Sequence, residues 1–246
     1  MSENLHWEID DLMLPNAANT REIERGLTTF GIQGGRGAGE APDVAIRLQD
    51  IFIGDNDKLF GSADIRLDAL IVQGNGNAEE AKSFYTPGTF RFSGVRDDYR
   101  LPTGDNGILL FYGKPLHFLD IFITASRDTN DTDDLATLLS DQLQSDEVQD
   151  ALKSLLALAI AAPHAAAVVG AVGAATFLGN LAYKVVRQAT GGSIGMYRTA
   201  YLQHRDNFGI GRHPEKSDGK FFIQQESNER SALSFWYEIV RDELPS

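Results

Sequence analysis

The chain contains no cysteine, so disulfide bonds, thiol nucleophiles and cysteine-based metal sites are excluded. It is also poor in basic residues: 22 Lys and Arg stand against 35 Asp and Glu, and the formal net charge is −13. No run of Lys and Arg occurs, and affinity for phosphates comes from clustered cations, which excludes nucleic acid as a partner. An anionic membrane would repel such a protein unless cations bridge the two surfaces.

The first residues, 1–11, lack the basic start and apolar core of a secretory signal peptide. We therefore expect a cytoplasmic protein, although export by a route without a signal would leave the same composition. The apolar and charged fractions, 42% and 23%, are those of an ordinary globular protein.

Alternating apolar residues predict β-strands over much of the chain. Val44, Ile46, Leu48 and Phe52 share one face of a strand at 44–52. In the next strand, apolar residues at 65, 67, 69 and 71 alternate with Arg66 and Asp68 on the opposite face. The same pattern, separated by Gly and Pro turns, predicts further strands at 89–95, 107–112, 117–125, 194–201, 219–224 and 233–240.

Between residues 132 and 189 the apolar period lengthens to that of helices. Acidic residues begin the segment, Pro163 should break it, and Gly191 and Gly192 should end it. We therefore predict a mainly β fold with a helical insertion (α+β). We expect an antiparallel β-sandwich in a single domain, 1–246, with helices inserted at 132–189.

Two acidic loops follow predicted strands and indicate a Ca²⁺ site. One carries Asp55 and Asp57, with Asp64 beyond them, and the other carries Asp128, Asp131 and Asp133. Ca²⁺ takes six to eight oxygen ligands, and carboxylates spaced two residues apart on a loop can converge on one ion. The alternative is that Asp and Asn favour turns and helix starts for conformational reasons alone.

The strand–Asp-Asn-Asp–strand arrangement resembles the calcium loops of C2 domains, which are β-sandwiches that bind membranes through Ca²⁺. In that family one loop carries Asp-x-Asp, as at Asp55 and Asp57, and a further Asp several residues on, as at Asp64. The match has one residue too many before Asp64, and the helical segment departs from the family. The resemblance implies a binding module with Ca²⁺ as cofactor and a membrane surface or protein as partner.

The stretch 154–183 carries no charge, and its length would permit a membrane-spanning helix. Ala and Gly dominate it, however, and segments poor in Leu insert marginally. A buried helical hairpin and a hairpin that leaves the fold to enter a bilayer both remain open, the latter as in pore-forming effectors.

Gly191 to Gly195 spell the Gly-x-Ser-x-Gly pattern of a serine hydrolase, with Ser193 at its centre and Asp206 and His213 following. In such hydrolases the serine lies on a sharp turn between a strand and the helix that follows it. Here a predicted helix precedes Ser193 and a predicted strand follows it. We therefore expect no catalytic residue and a non-enzymatic binding module. The alternatives are a membrane-perturbing effector that uses 154–183, and a hydrolase that uses Ser193.

Overall fold

A computed structural model describes ten stretches of the chain: residues 43–73, 85–115, 118–129, 132–146, 148–150, 154, 164–190, 193–202, 207–210 and 232–241. The elements, in chain order, are β1 (Val44–Ile53), β2 (Ala63–Gln73), β3 (Tyr85–Val95), β4 (Tyr99–Arg100), β5 (Ile108–Gly113), β6 (Phe118–Arg127), α1 (Leu135–Gln142), α2 (His164–Ala189), β7 (Ser193–Leu202), a 3₁₀-helix (Asn207–Gly209) and β8 (Leu233–Arg241).

The strands form two antiparallel sheets. In the first sheet β1 is central: it pairs with β8 along one edge, and with β5 and then β4 along the other. The second sheet has the order β3-β2-β6-β7. The alternating apolar faces of the two sheets pack against each other, which is the arrangement that period-two patterns predict.

A core lies between the sheets, and a second core lies between the second sheet and the helices. The first contains Ile46 and Leu48 of β1 with Leu67 of β2. The second contains Phe122 of β6 with Leu178 of α2. The protein is therefore predominantly β, with two packed antiparallel sheets and a helical layer on one of them.

The sequence-predicted strands that fall on described residues are confirmed, with ends that move by up to four residues. The strand predicted at 219–224 lies outside the described residues. Both described α-helices lie within 132–189, and α2 begins directly after Pro163 and ends at Ala189, where proline and glycine predict a break and an end.

The helical layer changes the environment of β2. Because helices cover the second sheet, β2 is buried on both faces, and Arg66 and Asp68 are fully buried although their polarity suggests an exposed face. Within the described part of the chain, no helix has the length and hydropathy that a bilayer crossing requires.

Candidate functional site

Three connections meet at one end of the sandwich. The Asn56 N–H donates to Asp97 Oδ1 at 2.9 Å, which joins the β1–β2 loop to the β3–β4 turn. The Asp128 N–H donates to the Asp64 carbonyl oxygen at 2.8 Å, which joins the end of β6 to the start of β2. We call this region, residues 54–62, 96–98, 128–129 and 132–134, the loop end.

Five of the six predicted calcium ligands lie in the loop end or at its border. Asp55 and Asp57 lie in the β1–β2 loop, and Asp64 lies at the start of β2. Asp128 directly follows β6. Asp133 is exposed, and its carbonyl oxygen accepts a hydrogen bond from Arg66 at 2.6 Å. The sixth, Asp131, lies outside the described residues.

The carboxylates of the β1–β2 loop have partners within the chain. Asp55 Oδ1 accepts the Asp57 N–H at 2.8 Å, and this turn holds Asp57 at a φ of 58°. Asp57 Oδ2 lies 3.4 Å from Arg127 Nε. Asp57 is therefore already next to a cation supplied by β6.

The other two carboxylates are also engaged. Asp64 Oδ1 accepts the Gly94 N–H at 2.9 Å. Asp128, whose side chain is buried, lies 2.9 Å from Arg91 Nε and accepts the Thr132 hydroxyl at 3.2 Å. A calcium ion here would have to draw Asp57 and Asp128 away from arginines.

Arg91 also pairs with Asp134, and this hydrogen bond raises the pKa of the Arg91 guanidinium, which stays charged. Among the residues that the structure describes, no three His, Asp or Glu side chains are grouped closely enough to hold a metal ion. Calcium binding at the loop end therefore stays a prediction.

Sequence reasoning missed the most exposed apolar side chains of the loop end. Leu59 and Phe60 lie side by side in the β1–β2 loop and are 93% and 89% exposed. Directly before them, Lys58 folds back and donates from Nζ to the Ser62 carbonyl oxygen at 2.7 Å. We call Leu59 and Phe60 the apolar tip. Its signal in the sequence is two adjacent large apolar residues inside an otherwise polar loop.

Arg91 and Arg127 were missed as well, and nothing in the local sequence marks them. Both lie on strands, in positions where Arg is unremarkable, and only the pairing of β3, β2 and β6 brings them to the acidic loops. Their presence follows from the sheet order rather than from a motif.

Ser193 is the first residue of β7 and follows α2, and its cross-strand neighbour is Ser126 of β6. This order is the reverse of the strand-to-helix turn that exposes a hydrolase nucleophile. Asp206 and His213 lie outside the described residues. Catalysis by Ser193 stays a hypothesis.

Comparison of the chain with protein-family models, with curated proteins and with solved structures returns no match in any of the three. The two packed antiparallel sheets are compatible with the predicted β-sandwich.

Proposed function

We propose that this protein is a non-enzymatic binding module that docks onto a membrane surface through its loop end. One observation carries the proposal: Leu59 and Phe60 stand almost fully exposed at adjacent positions of one loop. Single exposed apolar residues are common, but a pair presented together on a projecting loop is typical of a binding surface.

The energetics of the apolar tip favour docking. Burying a Leu or Phe side chain gains about 1.5–3 kcal/mol, so that transfer of the tip into the apolar edge of a bilayer would gain roughly 3–6 kcal/mol. Lys58 stands next to the tip. A lysine in this position keeps its charge at headgroup level while its stem lies along apolar surface.

Charge decides which bilayers this tip can approach. The net charge of −13 disfavours contact with anionic lipids. At the loop end, Arg127 offsets Asp57 and Arg91 offsets Asp128. We propose that calcium draws Asp57 and Asp128 away from these arginines and bridges the carboxylates to lipid phosphates, as the resemblance to C2 domains implies.

Co-sedimentation with vesicles tests the proposal. Phosphatidylcholine vesicles, with and without phosphatidylserine, are mixed with the protein in calcium or in chelator. We expect the wild type to bind, and Leu59→Ser/Phe60→Ser to remain in the supernatant. The matched control is Leu109→Ser/Tyr112→Ser, which removes an apolar pair on β5 that is 52% and 48% exposed. This control should bind like the wild type. A wild type that stays in the supernatant under every condition would refute membrane docking.

Thermal melts test the calcium part separately. Bound calcium stabilises the fold by mass action, by about 2.7 kcal/mol when its free concentration is a hundred times its dissociation constant. We expect a higher Tm in calcium than in chelator, and no difference in Asp57→Asn. Identical melts of the wild type would remove calcium from the proposal and leave docking by the apolar tip to be judged by the vesicles.

A further inference from the structure

Asn56 lies directly beneath the apolar tip and is fully buried. Its side-chain Nδ2 donates to the carbonyl oxygens of Gly61 at 3.1 Å and Val95 at 3.0 Å. Its Oδ1 accepts the Lys58 N–H at 3.0 Å. One buried amide thus satisfies backbone groups on both sides of the tip and on the neighbouring strand.

The backbone of Asn56 adds a fourth bond, because its N–H donates to Asp97 Oδ1 at 2.9 Å. Asp97 itself is exposed, in the turn between β3 and β4. Asp97 therefore ties the β1–β2 loop, which carries the apolar tip, to the β3–β4 turn. Because the Asp97 side chain is at the surface, this acceptor can be altered by substitution.

A buried polar side chain is retained at a cost in desolvation unless all its hydrogen bonds are made. Here two of the three are made to Lys58 and Gly61, the residues that bracket the apolar tip, and the third is made to Val95 of β3. A loop that served only to connect β1 to β2 would have no need to hold two apolar side chains in water.

We propose that Asn56 and Asp97 are positioning residues that hold Leu59 and Phe60 outward before docking. The inference rests on the proposed docking function. A tip that is already ordered loses little conformational entropy when it meets a partner, and pre-organisation of this kind strengthens binding without adding a contact. The two residues act through the loop and touch no lipid.

Asp97 allows a charge-matched test. Asp97→Ala and Asp97→Asn both remove one negative charge, but only Asn retains a side-chain oxygen that can accept the Asn56 N–H. In vesicle titrations with the wild-type protein as reference, we expect Asp97→Ala to weaken lipid binding about fivefold, and Asp97→Asn to bind like the wild type. Asn56→Ala, which loses three side-chain hydrogen bonds, should weaken binding about tenfold or more.

Amide hydrogen exchange separates positioning from general stability. In Asp97→Ala, exchange should become faster at 57–61 and stay unchanged in the centres of β2 and β6, since only the loop is loosened. Asn106→Ala, at an exposed asparagine before β5, serves as the control in both measurements.

The outcomes distinguish the two proposals. If Leu59→Ser/Phe60→Ser binds vesicles normally, or the wild type does not bind them, the docking proposal fails and this inference fails with it. If that double variant loses binding while Asp97→Ala and Asn56→Ala bind like the wild type, only the positioning role is overturned. Should Asn56→Ala fail to fold, the comparison of Asp97→Ala with Asp97→Asn decides alone.

Discussion

At the scale of residues, Arg66 and Asp68 form an ion pair on β2 in which both residues are fully buried. Two parallel bonds join them: Arg66 Nε to Asp68 Oδ2 at 2.7 Å, and Nη2 to Oδ1 at 2.9 Å. The Thr89 hydroxyl donates to Asp68 Oδ1 at 2.6 Å and accepts the Leu135 N–H at 2.9 Å. The pair thereby attaches the first turn of α1 to the second sheet.

Removal of one member should be far more damaging than removal of both. Arg66→Met leaves a buried carboxylate without its counter-ion, so we expect the free energy of unfolding to fall by about 3–5 kcal/mol. Arg66→Met/Asp68→Leu should recover part of that loss, because no buried charge remains. Urea denaturation measures both.

The control for this prediction is Arg47→Met. Arg47 pairs with Glu238 at 3.9 Å with both side chains partly exposed, and an ion pair of this kind contributes less than about 1 kcal/mol. Equal losses for Arg66→Met and Arg47→Met would contradict the burial argument.

At the scale of elements, α2 is the piece whose role the sequence leaves open. From residue 173 onwards its apolar side chains pack on the second sheet, with Leu178 fully buried and Phe177 nearly so. A Cβ at Gly179 would lie 3.4 Å from Arg198 Cζ, and Arg198 is hydrogen-bonded to Asp120 of β6. Gly179 therefore faces Arg198 of β7 where α2 packs on the second sheet.

A charge in this contact tests whether the helical segment serves the fold or a bilayer. Leu178→Asp removes a core side chain, a change that usually costs about 2–5 kcal/mol before the buried charge is counted. We expect loss of the folded protein, a far smaller destabilisation by Arg187→Asp on the exposed side of the same helix, and no leakage of vesicles by the wild type. Wild-type leakage abolished by a Leu178→Asp protein that still melts normally would favour the effector hypothesis.

At the scale of the whole molecule, three tyrosines connect the two sheets. The Tyr237 hydroxyl of β8 lies 2.9 Å from that of Tyr197 and 2.5 Å from that of Tyr201, both on β7. Burial raises the pKa of Tyr237 and of Tyr197 above the ordinary value of 10.0. These phenols therefore stay neutral in the folded protein at a pH where the unfolded chain begins to ionise.

Stability should consequently fall above pH 10. Because the folded pKa values are raised, the contribution of these tyrosines is fully present below the unfolded pKa and is lost as pH rises towards the folded value. Each tyrosine whose pKa is raised in the folded protein lowers the free energy of unfolding by about 1.4 kcal/mol per pH unit in that window. Urea denaturation from pH 9 to 12 should show that the free energy of unfolding declines less steeply with pH in Tyr237→Phe than in the wild type. Tyr99→Phe, at an exposed tyrosine, should leave the decline unchanged. The same decline in all three proteins would show that other groups cause it.

The sequence by itself determined most of the described elements and their order, but it missed the two-residue strand β4. Strand β8 buries one face, so that the period of two is written directly in its residues. Strand β1 keeps this period only as far as Gln49, where its register shifts and Phe52 leaves the buried face. The end of α2 was equally readable, because glycine after a helix acts locally. Local preferences of this kind depend on neighbours within a few residues, and these neighbours are in the sequence.

Only the tertiary structure decided which elements pack against each other and which side chains they bring into contact. The pattern of β2 does not reveal that helices cover its second face, nor that Arg66 is buried there. The acidic loops were predictable, but their counter-ions Arg91 and Arg127 come from strands that pair only in the folded sheet. Likewise, Asn56 lies beneath the apolar tip because β3 ends beside it. Burial and ion pairing depend on residues far apart in the chain, so no local pattern encodes them. The candidate docking site could therefore be recognised only after the structure had placed the three connections of the loop end together.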